Sequence, residues 1–433
     1  MSIPIFFLII ISLNSIIKSK INILKFPLIQ ISGADDFDDI NSVLLSDVST
    51  NINLGTPPQN IKIYLSQSLF PTYIAGEKSQ AKIESVLYFD STKSSTYHSN
   101  DTKEYRYTHS DFDYAYNAYD NLHNIFNDYS FLLITKFSQT MMDLYPGKIG
   151  LKGYPTLQEK NDYLKHNFIH QLFERKIISK NIYTISFLNE TNGELVFGAL
   201  PDEYDNSYNK KDLISIEGLN EKEWSITFDS ITYNGNELNS IKKGKFLIEY
   251  GLIKAPKQLA DSFIKYFSQK YFDENICKYH YLVSPGYISC NSLFNITDFK
   301  GIKFSLNSYN FSFFLDSKLL FHTYKNKIFF YIVFGNGDWI FGKPFFEKYQ
   351  LSFDIDKGSI LWYGKKNNSK TNIMIILIAI FGIVIILIGG YIAYYVYIKN
   401  NGKRRKRAHE LDEDFIYNSI EKINTDVGNL KSN

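Results

Sequence analysis

The sequence predicts a two-lobed body that contains β-strands, followed by one membrane-spanning helix. With 433 residues, the chain is longer than one ordinary hydrophobic core covers, so two lobes or domains are expected. Ile61, Ile63 and Leu65 recur at every second position, the period of a half-buried strand. Residues 373–398 carry no charge and exceed the roughly 20 residues that cross a bilayer.

The composition is that of a globular protein with a large core. Aromatic residues make up 16% of the chain and charged residues 21%, and these proportions argue against disorder. The formal net charge is +2, and Lys and Arg are spread out apart from one cluster near the C-terminus. The sequence therefore predicts no polyanionic partner such as nucleic acid.

The cysteines and histidines predict no metal site. Two cysteines, Cys277 and Cys290, exclude a cysteine-based zinc site and a disulfide-dense scaffold. In a secreted chain they are expected to form one disulfide, with two buried free thiols as the alternative. His166 and His170 have the i,i+4 spacing of helical metal ligands, but no third ligand stands beside them. Surface or core histidines are favoured, and neither a metal nor a cofactor is predicted.

The N-terminal segment predicts entry into the secretory route. Residues 1–20 contain an apolar run about as long as the core of a signal peptide, although no basic residue precedes it. An uncleaved anchor or a buried helix is the alternative. Residues 21–44 are interpreted as a short pro-like or linker segment whose acidic cluster is a solvated face. The cluster consists of Asp35, Asp36, Asp38 and Asp39.

The first motif is a turn, Gly55-Thr56-Pro57-Pro58-Gln59, that leads into the alternating strand and then into Ser66-Gln67-Ser68. This stretch resembles the first active-site segment of the pepsin-like aspartic peptidases, in which a "GTPPQ" turn precedes a strand ending in Asp-Thr-Gly-Ser. The turn matches letter for letter. Ser66 stands at the position of the catalytic aspartate.

Further segments resemble the same family in the same order. Residues 88–97 are similar to its "F-D-P-S-x-S-S-T-Y" loop, and later matches lie at residues 146–155, 193–198, 223–231, 286–290 and 339–363. The family's flap hairpin corresponds to residues 105–111, where Tyr107 is assigned as the flap tyrosine. The tip glycines are absent, so a reshaped flap is expected. Asp111 and Asp113 lie nearby and are interpreted as exposed loop acids.

The second active-site segment of the family corresponds to residues 246–256. Glu249 occupies the aspartate position, 183 residues after Ser66, as expected of two lobes that each give one acid. Gly251 is kept, whereas Tyr250 and Leu252 replace the family's threonines.

The resemblance implies an all-β, bilobed pepsin-like fold with pseudo-twofold symmetry. It places the N-terminal lobe at residues 45–205, the C-terminal lobe at 206–364 and a linker at 365–372. It also implies that Cys277 and Cys290 form the second lobe's disulfide.

The substitutions at the two aspartate positions decide the functional prediction. In the family, two aspartates share one proton, and the pair supplies a general base and a general acid. Ser66 does not ionise usefully, and Glu249 is one methylene longer than aspartate. No Asp-Thr-Gly or Asp-Ser-Gly occurs elsewhere in the chain. The sequence therefore favours a catalytically inactive protein that binds a peptide or protein in the cleft between its lobes.

Two alternatives stay open. One is a divergent endopeptidase that uses Glu249 and an unrecognised second acid. The other is a structural or adhesion protein whose cleft is filled by Phe70, Tyr250 and Leu252.

The C-terminal segment predicts a single-pass type I membrane protein of the cell surface or an endomembrane. The helix over residues 373–398 ends in a tyrosine belt, and the basic cluster 403–407 places residues 399–433 in the cytosol. A nuclear signal or a lipid-contact patch is the alternative for that cluster. Residues 417–420 match a Tyr-x-x-apolar sorting signal, a match that often arises by chance.

Glycosylation sequons occur between the two hydrophobic ends of the chain and not in the tail, which suits a luminal or extracellular body. They lie at Asn100, Asn189, Asn295, Asn310 and Asn367. The ligand and the oligomeric state are not predicted.

Overall fold

The computed structural model describes most of the chain, and its contacts divide the chain into two compact units, residues 1–366 and 367–433. The described residues are 22–30, 48–77, 79, 88–99, 105–106, 112–137, 146–153, 165–187, 192–205, 207–210, 213–220, 223–238, 240–281, 285–324, 326–363 and 369–429.

The first unit is built mainly of strands. In chain order they are β1 (Leu24–Gln30), β2 (Val48–Leu54), β3 (Gln59–Ser66), β4 (Tyr73–Ala75), β5 (Tyr105–Arg106), β6 (Phe112–Leu122), β7 (Phe126–Phe137), β8 (Gly147–Gly150), β9 (Ile182–Phe187), β10 (Asn192–Phe197), β11 (Leu213–Glu217), β12 (Leu219–Asn220), β13 (Glu223–Thr227), β14 (Ser230–Tyr233), β15 (Asn236–Glu237), β16 (Lys243–Phe246), β17 (Ile253–Pro256), β18 (Cys277–His280), β19 (Gly286–Asn291), β20 (Ile302–Leu306), β21 (Phe311–Leu315), β22 (Phe321–Tyr324), β23 (Lys327–Gly335), β24 (Trp339–Phe341), β25 (Gln350–Asp354) and β26 (Ser359–Tyr363).

The described α-helices of the first unit have 15 residues or fewer, whereas the second unit contains one long helix. The α-helices are α1 (Phe168–Glu174), α2 (Pro201–Tyr204), α3 (Leu259–Asp273), α4 (Ser317–Leu320), α5 (Lys343–Lys348) and α6 (Ser369–Asn429), with 3₁₀ turns at Ser91–Lys93, Ile296–Asp298 and Asn307–Tyr309.

One sheet joins the two halves of the first unit. From one edge inward its strands have the order β11-β26-β25-β9-β10-β1, so strands from late in the chain pair with strands from early in the chain in a single sheet. β25 and β9 pair antiparallel at the junction, where the rings of Tyr183 and Phe353 stack at 4.8 Å. The hydroxyls of Thr184 and Ser352 are 2.6 Å apart in the same pair of strands.

The pairing pattern repeats in the two halves. In the first, β3 pairs parallel with β8, β8 antiparallel with β4, and β4 parallel with β7. In the second, β16 pairs parallel with β24, β24 antiparallel with β17, and β17 parallel with β23. This repeat confirms the predicted all-β, bilobed fold with pseudo-twofold symmetry.

A strand lies where the sequence analysis expected a linker. Within residues 21–44, β1 pairs with β10 from Leu24↔Phe197 onward. Phe26 and Leu28 are buried while Lys25 and Pro27 are exposed, which is the alternation of a half-buried strand. The pro-like or linker assignment is therefore corrected for residues 24–30, because these two apolar side chains complete the first lobe's core.

The disulfide prediction is confirmed. Cys277 and Cys290 are bonded and lie opposite each other on β18 and β19. The cross-link closes a hairpin of the second lobe.

The second unit consists of α6, a helix of 61 residues. Ile380–Lys403 within it are long and apolar enough to cross a membrane, and none of this stretch is buried inside the structure. The span predicted from the sequence, 373–398, overlaps this stretch. The helix continues to Asn429, whereas the sequence analysis assigned no helix to the segment 399–433. The predicted signal peptide lies outside the described residues.

Candidate functional site

The turn before β3 holds the loop at residues 88–97 in place on the first lobe. Gly55 has φ +90, and a Cβ there would lie 2.9 Å from the Ser94 hydroxyl, so the turn requires glycine. The Thr56 amide donates to the Ser94 hydroxyl at 3.0 Å. The turn and the loop at residues 88–97, found as separate motifs, therefore form one structural unit.

Gln59 and Asp90 tie this unit together. The Gln59 side-chain amide donates to the Asp90 carbonyl and accepts from the Asp90 amide, both at 2.9 Å. The Asp90 carboxylate accepts from the Thr92 amide and hydroxyl. The hydrogen bond from Thr92 and the adjacent Lys93 lower the pKa of Asp90 well below its usual range.

Each lobe packs its loop against a glycine. A Cβ at Gly150 would lie 2.3 Å from the Phe70 carbonyl oxygen, and one at Gly342 would lie 2.1 Å from the Tyr250 carbonyl oxygen. Both distances are far inside van der Waals contact, so no other residue fits without a shift of the backbone. The tight packing of Gly150 against the first-lobe loop thus has its counterpart in the second lobe at Gly342, which follows β24.

Ser66 and Glu249 meet at the junction of the two lobes. The Ser66 hydroxyl donates to Glu249 Oε1 at 3.1 Å. The Ser68 amide donates to the same oxygen at 2.9 Å, and the Gln67 amide donates to Oε2 at 2.9 Å. The second-lobe carboxylate therefore accepts three hydrogen bonds from one first-lobe loop and uses both of its oxygens.

The surroundings of the pair are polar and confined. Ser66 and Gln67 are each 1% exposed, and Glu249 is half-buried. The Ser66 hydroxyl also lies 3.1 Å from the Ser68 hydroxyl. Within the part of the chain that the structure describes, no second carboxylate is a hydrogen-bond partner of Glu249.

Gln67 is a connection that the sequence analysis did not identify. Its Oε1 accepts from the Ile248 amide at 2.9 Å and its Nε2 donates to the Tyr183 hydroxyl at 3.1 Å. That hydroxyl donates to the Leu151 carbonyl, which also accepts from Trp224 Nε1. The side chain thus links both loops to the buried core. The one signal for it was its place in the position of the family's threonine.

The bulky residues beside Glu249 do not all face the cleft. Leu252 is buried in a second-lobe cluster with Phe329 and Val333, and Tyr250 packs against that cluster. Burial raises the pKa of Tyr250 to about 12. Leu252 is thus a core residue, which weighs against the alternative in which it plugs the cleft. Phe70 lies under Lys152, whose Nζ is 4.4 Å from the ring centroid.

The remaining candidates lie elsewhere. His166 is 3% exposed and lies within 2.8 Å of both Ser130 and Asn117, so it is a core histidine. Burial lowers the pKa of His170. Tyr107 and Asp111 fall outside the described residues, and Asp113 lies on β6. Over the described ranges, no three His, Cys, Asp or Glu side chains are grouped as metal ligands.

Two described sequon residues are on the surface. Asn295 begins a 3₁₀ turn and Asn310 has a left-handed backbone, and both are exposed. Asn100, Asn189 and Asn367 lie outside the described residues. Glycosylation stays a prediction.

A family model described as eukaryotic aspartyl protease matches residues 48–362. The chain belongs to the eukaryotic aspartyl protease family. A search of curated proteins found no match. The matched range begins at β2 and ends in β26, so it contains the turn, both loops and the pairing of β25 with β9 at the junction of the lobes. In this aspartyl protease family member, the two loops that meet between the lobes bring Ser66 and Glu249 together.

Proposed function

We propose that this pepsin-like domain binds a peptide or protein in its interlobe cleft and does not hydrolyse it. One observation carries the proposal: the Glu249 carboxylate is bound by a hydroxyl and two backbone amides. The reaction of the family depends on a different arrangement, in which one carboxylate shares a proton with a second carboxylate.

The chemistry of Ser66 supports this proposal. A serine hydroxyl donates one hydrogen bond but does not ionise near neutral or acidic pH, so it does not replace a second carboxylate as general acid or base. Loss of a general acid or base costs about 10²–10⁴-fold in rate. Ser66 is buried, and its remaining role is to hold the Glu249 carboxylate in place by a hydrogen bond.

The membrane orientation belongs to the same proposal. A signal peptide at residues 1–20 and a span ending before the basic cluster 403–407 give a type I protein, with the pepsin-like domain outside the cytosol and the tail inside. The predicted location is the cell surface or an endomembrane. The candidate span in α6 supports the anchoring.

Cleavage of an unfolded protein at acidic pH tests the proposal. Full-length protein in detergent micelles is incubated with casein, with and without pepstatin, next to an active pepsin-like peptidase in the same detergent. We expect no cleavage. Cleavage that pepstatin blocks and that Glu249→Ala abolishes would overturn the proposal and favour a divergent endopeptidase.

A further inference from the structure

The second-lobe sheet has two different faces, and Tyr250, the residue after Glu249, packs on one of them. Along β23, Phe330, Ile332 and Phe334 enter the main core. The alternate residues Phe329 and Val333 form a separate small cluster with Leu252. Since side chains alternate across a strand, these two sets lie on opposite faces of the sheet.

The register extends the second face across neighbouring strands. Tyr287 on β19 lies opposite Val333, and His280 on β18 lies opposite Tyr287. His322 on β22 lies opposite Phe329. Paired residues point to the same side of a sheet, so these side chains share the face of the small cluster. We call Tyr250, His280, Tyr287, His322 and Tyr331 the aromatic face.

The rings of the aromatic face are arranged in stacks. His280 and Tyr287 stack at 4.3 Å with an interplanar angle of 10°, and His322 and Tyr331 at 5.6 Å with 12°. Tyr250, Tyr287 and Tyr331 pack on the small cluster below. All five residues are half-buried, so part of each residue is exposed to solvent.

The aromatic face includes the residue that follows Glu249 in the chain. Tyr250 follows Glu249 directly in the chain, and the first lobe binds the Glu249 carboxylate.

Three lysines lie on this side of the sheet. Lys254 lies opposite Val333 and Lys278 opposite Ser289, and Lys327 lies two residues before Phe329 on β23. Lys278 and Lys327 are exposed, and the Lys254 ammonium donates to the Asn336 carbonyl. Among the described residues, none of these three lysines forms an ion pair, whereas Lys245 on β16 pairs with Glu223 and Asp338.

We propose that the aromatic face binds an acidic peptide segment that carries aromatic side chains. This inference rests on the proposed function and names its ligand class. The tyrosine and histidine rings offer apolar contact area at a low entropy cost, with hydroxyls that donate to peptide carbonyls. The three lysines attract carboxylates and disfavour basic segments.

A binding measurement with designed peptides tests this assignment. The probe is a fluorescein-labelled peptide of alternating Glu and Phe, added to the full-length protein in detergent micelles and followed by anisotropy. The matched controls replace Glu with Gln or with Lys. We expect the Glu peptide to bind at least roughly tenfold more tightly than the Gln peptide and the Lys peptide to bind most weakly.

Variants of the face separate specific binding from general attraction to a protein. Tyr331→Ala and the pair Lys278→Glu with Lys327→Glu should each weaken binding of the Glu peptide by roughly tenfold. Tyr331→Phe keeps the ring and should bind almost as well as the unchanged protein. Lys300→Glu is the charge control, since Lys300 is exposed in the same lobe but lies before β20.

The outcomes distinguish this inference from the proposed function. Mass spectrometry of the recovered peptide reports hydrolysis, and a cleaved peptide whose binding depends on Tyr331 overturns the proposed function alone. Equal binding of the Glu and Gln peptides overturns the inference, and so does a loss of binding in Lys300→Glu as large as in the lysine pair. Preferential binding of heparin over the Glu peptide also overturns it, because the ligand class would then be an acidic glycan.

Discussion

At the scale of single residues, Glu249 acts as a link between lobes. Its carboxylate is carried by the second lobe and bound by three donors of the first. Backbone amides that lose such an acceptor in a confined site are left without a partner, which costs stability. The hydrogen-bonded pair of Ser66 and Glu249 therefore contributes to holding the two halves together.

Glu249→Ala should lower the free energy of unfolding by about 1–3 kcal/mol, since two amides and a hydroxyl lose their acceptor. Ser66→Ala removes one donor and should cost about 1 kcal/mol. Urea unfolding followed by tryptophan fluorescence measures both, because Trp224 is buried next to the lobe junction. A Glu249→Ala protein as stable as the unchanged one would show that this link carries no stability.

The lowered pKa of Asp90 predicts that the loop at residues 88–97 loses stability in acid. Its pKa is lowered in the folded protein by the Thr92 hydrogen bond and by Lys93, from an ordinary value of 3.8. A lowered carboxyl pKa gives stability that is present above about pH 4 and is lost as the pH falls toward the folded value. Asp90→Asn should therefore lower the melting temperature at pH 7, and the difference should shrink below pH 4.

A control for Asp90 is Asp273→Asn, at the end of α3, an exposed acid that accepts from Gln269. This variant should leave the melting temperature nearly unchanged at both pH values. A pH-independent effect of Asp90→Asn would mean that the turn depends on the shape of the side chain and not on its charge.

At the scale of elements, the sequence located the two loops but not all of the strands around them. Ser66 and Glu249 were assigned to the family's two aspartate positions because a turn motif marks the first loop and Gly251 is kept in the second. β1 was missed because Pro27 and the nearby acidic cluster resemble a linker, and only its pairing with β10 shows the strand. The hydrogen bonds of Gln67 were beyond prediction, since they depend on the relative position of two loops far apart in the chain.

The glycine under each loop gives a prediction at this scale. Gly342→Ala forces a Cβ against the carbonyls of Tyr250 and Leu252, at 2.1 and 2.2 Å. Backbone has to move to relieve such contacts, so we expect a loss of stability of about 1–3 kcal/mol or more. Gly335→Ala is the control, because its nearest contact is the flexible Lys254 side chain at 3.1 Å and the next contacts lie at 3.5 Å or more. Equal unfolding midpoints for the two variants would contradict this prediction.

The disulfide-bonded hairpin of β18 and β19 is a second element whose contribution to the free energy of unfolding is measurable. The bond between Cys277 and Cys290 closes a loop with a separation of 13 residues, for which chain entropy alone gives about 3 kcal/mol. A Cys277→Ser, Cys290→Ser protein should lose about that much free energy of unfolding. Dithiothreitol should destabilise the unchanged protein similarly and leave the double variant unaffected; an effect on the double variant would point to a different cause.

At the scale of the whole molecule, a repeated strand pattern and a long helix define two separate units. The repeat follows from the pairing of β3, β8, β4 and β7 and its copy in the second lobe. The membrane span was predictable because an uncharged apolar run of this length is typical of a helix that crosses a bilayer. The helical continuation of α6 to Asn429 was not predictable in the same way, because its charged residues carry no apolar run.

The orientation of the chain in the membrane is the prediction at this scale. Basic residues next to a span stay on the cytosolic side, so a tag placed after Asn433 should be digested by protease added to sealed microsomes. The pepsin-like domain should stay protected until detergent is added. Replacing the basic cluster with alanine removes its contribution to the orientation signal and should raise the fraction of protected tags; the changed residues are Lys403, Arg404, Arg405, Lys406 and Arg407. A tag protected in the unchanged chain would place the pepsin-like domain on the cytosolic side, where neither glycosylation nor a stable disulfide is expected.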